Sequence, residues 1–130
     1  MFTKITHDIK VTVVPRYLAD ESDPEDDRYV WTYTVTLENH GRQQLQLLNR
    51  RWHITDTLGR TQEVRGAGVV GEQPVLKHGE RFQDTSGTHL AAPSGLMTGS
   101  YEMQGEQGES VNISIPAFSL DSPTQRLRAN

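Results

Sequence analysis

The chain has 130 residues, 34% of them hydrophobic, which gives about 44 apolar side chains, enough for the core of one domain. Without a cysteine it can hold no disulfide framework, cysteine-ligated zinc, iron–sulfur cluster or catalytic thiol. Thirteen Lys and Arg against 17 Asp and Glu leave a formal net charge of −4, which argues against a broad nucleic-acid-binding face. Between Met1 and Ile9, polar and charged residues break up any apolar region of the signal-peptide kind, and no stretch approaches the ~20 apolar residues of a membrane helix. A cytoplasmic location without membrane contact is expected.

In chain order, Ile9, Val11 and Val13 alternate as a strand that Pro15, lacking an N–H, is expected to end. The run Arg28 to Asn39 puts Tyr29, Trp31, Tyr33, Val35 and Leu37 on one face and Thr32, Thr34 and Thr36 on the other, the strongest strand pattern in the chain. Next, Leu45 and Leu47 share one parity while Leu48, Trp52 and Ile54 share the other, which points to a bulge or a strand covered on both faces. Asp56-Thr57-Leu58-Gly59 reads as a turn, Thr61 to Arg65 as a short polar strand, and Lys77-His78-Gly79-Glu80 as a second turn leading into Arg81 to Ser86. Leu96 to Gln104 and Glu109 to Ile115 flank Gly105-Glu106-Gln107-Gly108 as a hairpin, after which Pro116 closes the last strong strand and Phe118 and Leu120 continue along an edge.

No segment keeps a helical period over ten residues. About seven or eight short strands predict an all-β fold, an antiparallel β-sandwich of immunoglobulin or fibronectin type III-like kind. Gly99-Ser100-Tyr101-Glu102-Met103 resembles the Gly-x-Tyr-x-Cys segment of an immunoglobulin strand F with Met103 in the cysteine position, and Trp52 is the candidate tryptophan packing across the core from it. Residues 1–122 are read as a single domain and residues 123–130 as a flexible tail.

Five groupings could carry chemistry. Gly66-Ala67-Gly68-Val69-Val70-Gly71 matches Gly-x-Gly-x-x-Gly, yet a dinucleotide fold needs a buried strand before it and a helix after it. Here the preceding strand is polar, Pro74 follows closely, and no acid stands about 20 residues on to hold a ribose. Two readings stay open: backbone N–H groups of the loop, with Arg65, facing an anion, or glycines serving positive φ while Val69 and Val70 tuck into the core or a partner. The acidic run Asp20 to Asp27 holds six of the 17 acids, leaving the rest of the chain at a formal +2, but its spacing does not fit an EF-hand, and a solvated loop that discourages edge pairing is expected. His7, His40, His53, His78 and His89 lack the short spacing of zinc sites, so no metal site is expected. Ser86-Gly87-Thr88-His89 reads as strand end plus turn rather than a nucleophile elbow, and no catalytic residue is assigned. Of the basic groupings, Arg50 and Trp52 face one side of a strand and Arg51 the other, and Arg126 and Arg128 stand near the C-terminus.

Several segments in order resemble the ApaG family: Arg28-Tyr29-Val30-Trp31-Thr32-Tyr33-Thr34-Val35-Thr36, Asn39-His40-Gly41, Gln46-Leu47-Leu48-Asn49-Arg50-Arg51-Trp52, the glycine motif with Glu72-Gln73-Pro74, Thr85-Ser86-Gly87, Gly99 to Met103, and Ile115-Pro116-Ala117-Phe118. The likeness spans roughly residues 5–122. It implies a fibronectin type III-like sandwich and a bacterial cytosolic protein, often encoded beside a diadenosine tetraphosphate hydrolase and an rRNA dimethyladenosine methyltransferase. It also implies an association with cobalt resistance and magnesium efflux, necessarily indirect for a chain with no membrane span. Related domains in eukaryotic F-box proteins and in a polymerase-interacting protein look like interaction modules, and the family's glycine loop has been proposed to bind pyrophosphate. His78 stands where relatives often have Pro, and Asp84 where Tyr is common, so any contact that tyrosine makes is in doubt here.

The expected function is therefore a non-enzymatic, cofactor-free binding module with an unidentified protein partner and no nucleic acid. Its candidate contact loop is Arg65, Gly66, Gly68, Gly71, Gln73 and Pro74, and self-association through strand edges, as a homodimer, stays open. The alternative is a sensor of a pyrophosphate-bearing nucleotide or a divalent cation.

Overall fold

The computed structural model describes residues 1–69 and 71–123, and among these it has nine strands and two short 3-10 turns. The strands are β1 (Phe2–Thr6), β2 (Ile9–Tyr17), β3 (Tyr29–Asn39), β4 (Leu45–Asp56), β5 (Thr61–Ala67), β6 (Val75–Leu76), β7 (Arg81–Leu90), β8 (Ser94–Gly105) and β9 (Ser110–Asp121). They form two antiparallel sheets, one in the order β1-β2-β3-β7 and the other β5-β4-β8-β9, with β6 sharing the β5 side of β4. This is the β-sandwich expected from the period-two patterning. Its count exceeds the expected seven or eight because β6 is too short to alternate at all and β1, with Ile5 exposed, does not alternate with burial.

The sheets meet over a single apolar cluster in which Ile9, Val11, Val13, Trp31, Leu37, Leu47, Met103, Ile113 and Leu120 are all essentially sealed from solvent. On one flank β9 packs against both β1 and β2, while β5 and β7, the end strands on the opposite flank, make no comparable contact. Trp31, whose indole N–H would be costly to bury unpaired, donates to the carbonyl of Asp121 at 2.9 Å and so ties β3 to the end of β9. Asn39, also buried, donates from Nδ2 to the carbonyls of Gln43 and Leu76 and accepts from the Gly41 N–H at Oδ1, which accounts for Asn39-His40-Gly41 as a structural unit.

Several boundaries depart from the sequence expectations. Pro15 does not end β2, which pairs with β3 as far as Tyr17. Pairing with β1 stops at Val13, so beyond it β2 has a free side on which a missing N–H interrupts no ladder. Pro116 does not close β9 either. Met97 pairs with Phe118 and Gly99 with Ile115, so Pro116 and Ala117 together oppose Thr98, and this bulge absorbs the proline. Phe118 and Leu120 then continue β9, the end strand of its sheet, as fully buried core residues. Ser86-Gly87-Thr88-His89 is not a strand end plus turn, since β7 runs on to Leu90 in register with β3. Trp52 and Met103 belong to neighbouring strands of one sheet rather than facing each other across the core; Trp52 pairs with Gly99, where a side chain would strike its ring. Residues 124–130, most of the expected tail, and with them Arg126 and Arg128, lie outside the described residues.

The Asp56-to-Gly59 turn is held by the Asp56 carboxylate. Oδ1 accepts from the N–H groups of Leu58 and Arg60, and Oδ2 from Arg60 Nε at 2.9 Å. Partial burial pushes this carboxyl up, but the two N–H bonds and the Arg60 guanidinium outweigh it and hold the pKa below its ordinary value. Asp56→Ala is expected to lower stability by about 1–3 kcal/mol at neutral pH in urea unfolding. A folded-state pKa below the unfolded one means stabilisation that is present above the unfolded value and lost as pH falls through the folded one. The gap between wild type and variant should therefore shrink in acid, and a gap constant from neutral pH to strong acid would refute the assignment.

Candidate functional site

The glycine motif does not form one loop. Arg65, the last residue of the strand expected from Thr61, and Gly66, expected in the loop, are both strand residues of β5, paired with Arg51 and Arg50 of β4. The segment that follows crosses from β5 to β6 over the bulge in β4, where the register against β8 shifts between Leu47 and Asn49. The bulge expected from the parity change is thus present, with Leu48 as the extra residue. Its carbonyl accepts from the Gly68 N–H at 2.7 Å and from Gln73 Nε2 at 2.9 Å, while the Pro74 carbonyl accepts the Leu47 N–H. Val69 and Glu72 exchange two backbone hydrogen bonds. The N–H groups of Gly68, Val69 and Glu72 are therefore turned inward onto the protein's own carbonyls. No helix follows Gly71; the chain enters β6.

Each glycine meets a distinct steric demand. Gly68 has φ +60 and a side chain there would overlap the Glu72 carbonyl; Gly71 has φ +84 with open space around it. Gly66 is extended, and the Arg50 guanidinium lies across it, with Cζ, Nη1 and Nη2 all 3.0 Å from where a Cβ would stand. Val69 is buried, as one of the two sequence readings required; Val70 lies outside the described residues.

The bulge also determines where Arg50 points. Before it Leu45 and Leu47 face the core; after it Trp52 and Ile54 do, and Arg50 with them. A strand that would have carried Arg50 into solvent thus brings a half-buried cation to the rim of the core. Its Nη1 donates to the carbonyls of Gly68 at 3.0 Å and Ala67 at 3.3 Å, and it has no carboxylate partner among the described residues. Arg51, by contrast, is outward and shares Glu63 with Arg65; the Arg65 hydrogen bond and both guanidinium charges outweigh the slight effect of burial and keep that carboxyl below its ordinary pKa.

Arg50 borders a cleft of about 390 Å³ on the unzipped flank, between β5 and β7. Tyr33, Trp52, Tyr101 and Val64 make its apolar side, and Asp84, Ser86 and Thr88 line the β7 wall. Trp52 stands edge-on to Tyr33 at 5.2 Å, to Phe118 at 5.9 Å and to Tyr101 at 6.5 Å, so the cleft floor is continuous with the aromatic core. Ser86 Oγ donates to Asp84 Oδ2. Burial raises the Tyr33 pKa, against the Ser86 hydroxyl and the Arg50 charge, which lower it, while Asp84 adds to the rise. Burial drives the Tyr101 phenol up further, with Tyr33 and Asp84 in the same direction and Arg50 opposed. Both phenols are thus neutral hydrogen-bonding groups at physiological pH.

The acidic run folds into two exposed 3-10 turns, Ala19–Glu21 and Pro24–Asp26, closed by a two-way backbone bridge between Asp23 and Arg28. Among the described residues no three acid or imidazole side chains gather as a metal would require. The five histidines are dispersed: His7 sits in the β1–β2 turn with φ +47, His53 on the outer face of β4, and His89 at the cleft rim. His78, in its tight turn, donates from Nδ1 to the Gly41 carbonyl at 2.7 Å, a bond proline could not make. Among the described residues no helix is long and apolar enough to cross a membrane.

A family model described as the ApaG domain matches residues 19–105. Curated proteins named Protein ApaG from Paramagnetospirillum magneticum and Rhodospirillum centenum are 55% and 56% identical over all 130 residues, covering both chains completely. Among solved structures, a Bordetella pertussis protein superposes with a TM-score of 0.87 at 45% identity, covering 92% of this chain and 97% of its own. A second X-ray structure, a structural-genomics target, gives a TM-score of 0.84 at 41% identity and covers 93% and 92%.

Proposed function

The chain belongs to the ApaG family, and from that premise we propose that it is a non-enzymatic binding module whose partner is another protein. The observation that supports this most directly is the open flank. Among the described residues β5 and β7 end their sheets without a further strand, leaving a row of backbone donors and acceptors on each side of the cleft. An extended segment of a partner can add to such an edge, gaining main-chain hydrogen bonds while its side chains enter the recess. The segment from Gly68 to Pro74 lies beside β5 and would extend the contact surface. A cytoplasmic location and an indirect contribution to cobalt resistance and magnesium efflux, exerted through the partner, complete this reading.

The test is crosslinked capture from a native bacterial lysate with wild type, Gly87→Lys and His53→Lys. A side chain at Gly87 meets nothing closer than the Trp31 carbonyl at 3.8 Å, so the lysine fits the fold while charging the β7 edge. The same partner should be recovered by wild type and His53→Lys and fall at least tenfold with Gly87→Lys. No partner at all, or equal recovery with all three, would sink the proposal. Under the alternative, a sensor, pyrophosphate or Mg²⁺ would instead produce saturable NMR shifts at Gly68 and Gly71 or at Asp23 to Asp27.

A further inference from the structure

The cleft carries a pattern of groups that an interaction through strand edges does not use. Its volume of about 390 Å³ falls within the range of small-molecule sites. Arg50 enters it as a cation fixed by one nitrogen: Nη1 is spent on the carbonyls of Ala67 and Gly68, and among the described residues no other acceptor engages Nη2 or Nε. Two of the guanidinium's faces are thus fixed in direction, by the bulge that turns Arg50 inward and by the bare Gly66 backbone on which it lies, with hydrogen-bonding capacity left over. A pre-positioned guanidinium of this kind matches a planar oxyanion. The opposite wall asks for something different: Asp84 and Ser86 on β7 present acceptors, which reward a donor. Between the two lies the aromatic floor of Tyr33 and Trp52, flanked by Val64.

We propose that this cleft binds a carboxylate that carries an amine or amide N–H and an apolar, preferably aromatic, side chain: an amino acid or the C-terminal residue of a peptide. The carboxylate pairs with Arg50, the N–H faces Asp84 and Ser86, and the side chain lies against Trp52. A simple inorganic anion satisfies only the first of these and is opposed by the Asp84 charge. A neutral aromatic satisfies only the last.

The experiment is a titration of the ¹⁵N-labelled full chain, followed at the Trp52 indole N–H and the backbone amides of Val64 and residues 84–88. The probes are N-acetylphenylalanine, its neutral amide, 3-phenylpropionate and inorganic phosphate. N-acetylphenylalanine should shift these signals saturably at millimolar concentration, the amide and phenylpropionate should bind at least tenfold more weakly, and phosphate should leave the signals in place. Glycylphenylalanine binding more tightly than phenylalanine assigns the ligand to a chain terminus, and the reverse to a free amino acid. Arg50→Gln should remove the preference for acid over amide. Because Arg50 also anchors the Gly68 segment, Asp84→Ala, which removes the acceptor, provides the independent arm: it should leave the melting temperature within a few degrees and erase the preference for N-acetylphenylalanine over phenylpropionate. Equal binding of acid and amide to wild type, an unchanged preference in Asp84→Ala, or phosphate producing the same shifts would each overturn the proposal. These outcomes are independent of whether Gly87→Lys loses a protein partner.

Discussion

Gly68→Ala is expected to destabilise the fold by about 3 kcal/mol or more, the sum of a left-handed backbone and a steric overlap that only backbone movement can relieve. The atom in the way is the Glu72 carbonyl oxygen, and Glu72 is itself held in place by its two backbone bonds to Val69. Gly71→Ala shares the positive φ but meets nothing within 4 Å, so its cost should be about 1 kcal/mol. At Gly66 the obstruction is the far end of a flexible arginine, which can shift at modest cost to stability but gives up its carbonyl anchors. Urea midpoints for the three alanine variants should therefore spread widely, with Gly68→Ala far below the rest. Three equal losses would contradict the steric account of the motif. The spread matters for function because glycines needed for the chain's own geometry do not by themselves indicate a phosphate cradle.

Trp52→Ala should be the most damaging core substitution on the open flank, lowering stability by about 3–5 kcal/mol. The ring is 3% exposed and touches Tyr33 from the other sheet and Phe118 and Tyr101 from its own. Removing it leaves a void contiguous with the cleft, in a closely packed interior that relaxes only in part around a deleted ring. Since a domain of this size has roughly 5–15 kcal/mol in total, the variant should unfold at a much lower denaturant concentration with a similar slope. A loss below about 1 kcal/mol would mean that Trp52 is not the pillar its contacts describe.

The strands with strong alternation were legible in the sequence because burial of one face imposes it. In β3 the five alternating positions from Tyr29 to Leu37 all face inward, and the parity change at Leu48 marked the bulge in β4. The family likeness was likewise carried by ordered segments of residues. What misled was proline. Pro15 and Pro116 read as stops, yet each sits where one side of the strand is free or bulged, a tertiary circumstance that no local rule contains. The glycine motif is visible in the sequence, whereas the cleft beside it is not. Arg50 could be placed on the Trp52 side from parity alone, but its opposition to Asp84 and Ser86 depends on β7 standing across from β5, two end strands that belong to different layers of the sandwich.

A sandwich fastened along one margin behaves like a bound volume. The spine is the margin where β9 is sewn to β1 and β2 and where Thr6 Oγ1 accepts the Ser114 N–H, while the pages part at the fore-edge between β5 and β7. Spreading the fore-edge breaks no rung of either ladder; aromatic rings slide past one another while the Asn39 bond to the Leu76 carbonyl holds one end. A guest of varied girth could thus be admitted without loosening the binding, so tolerance for different occupants and rigidity of the frame need not compete in this protein.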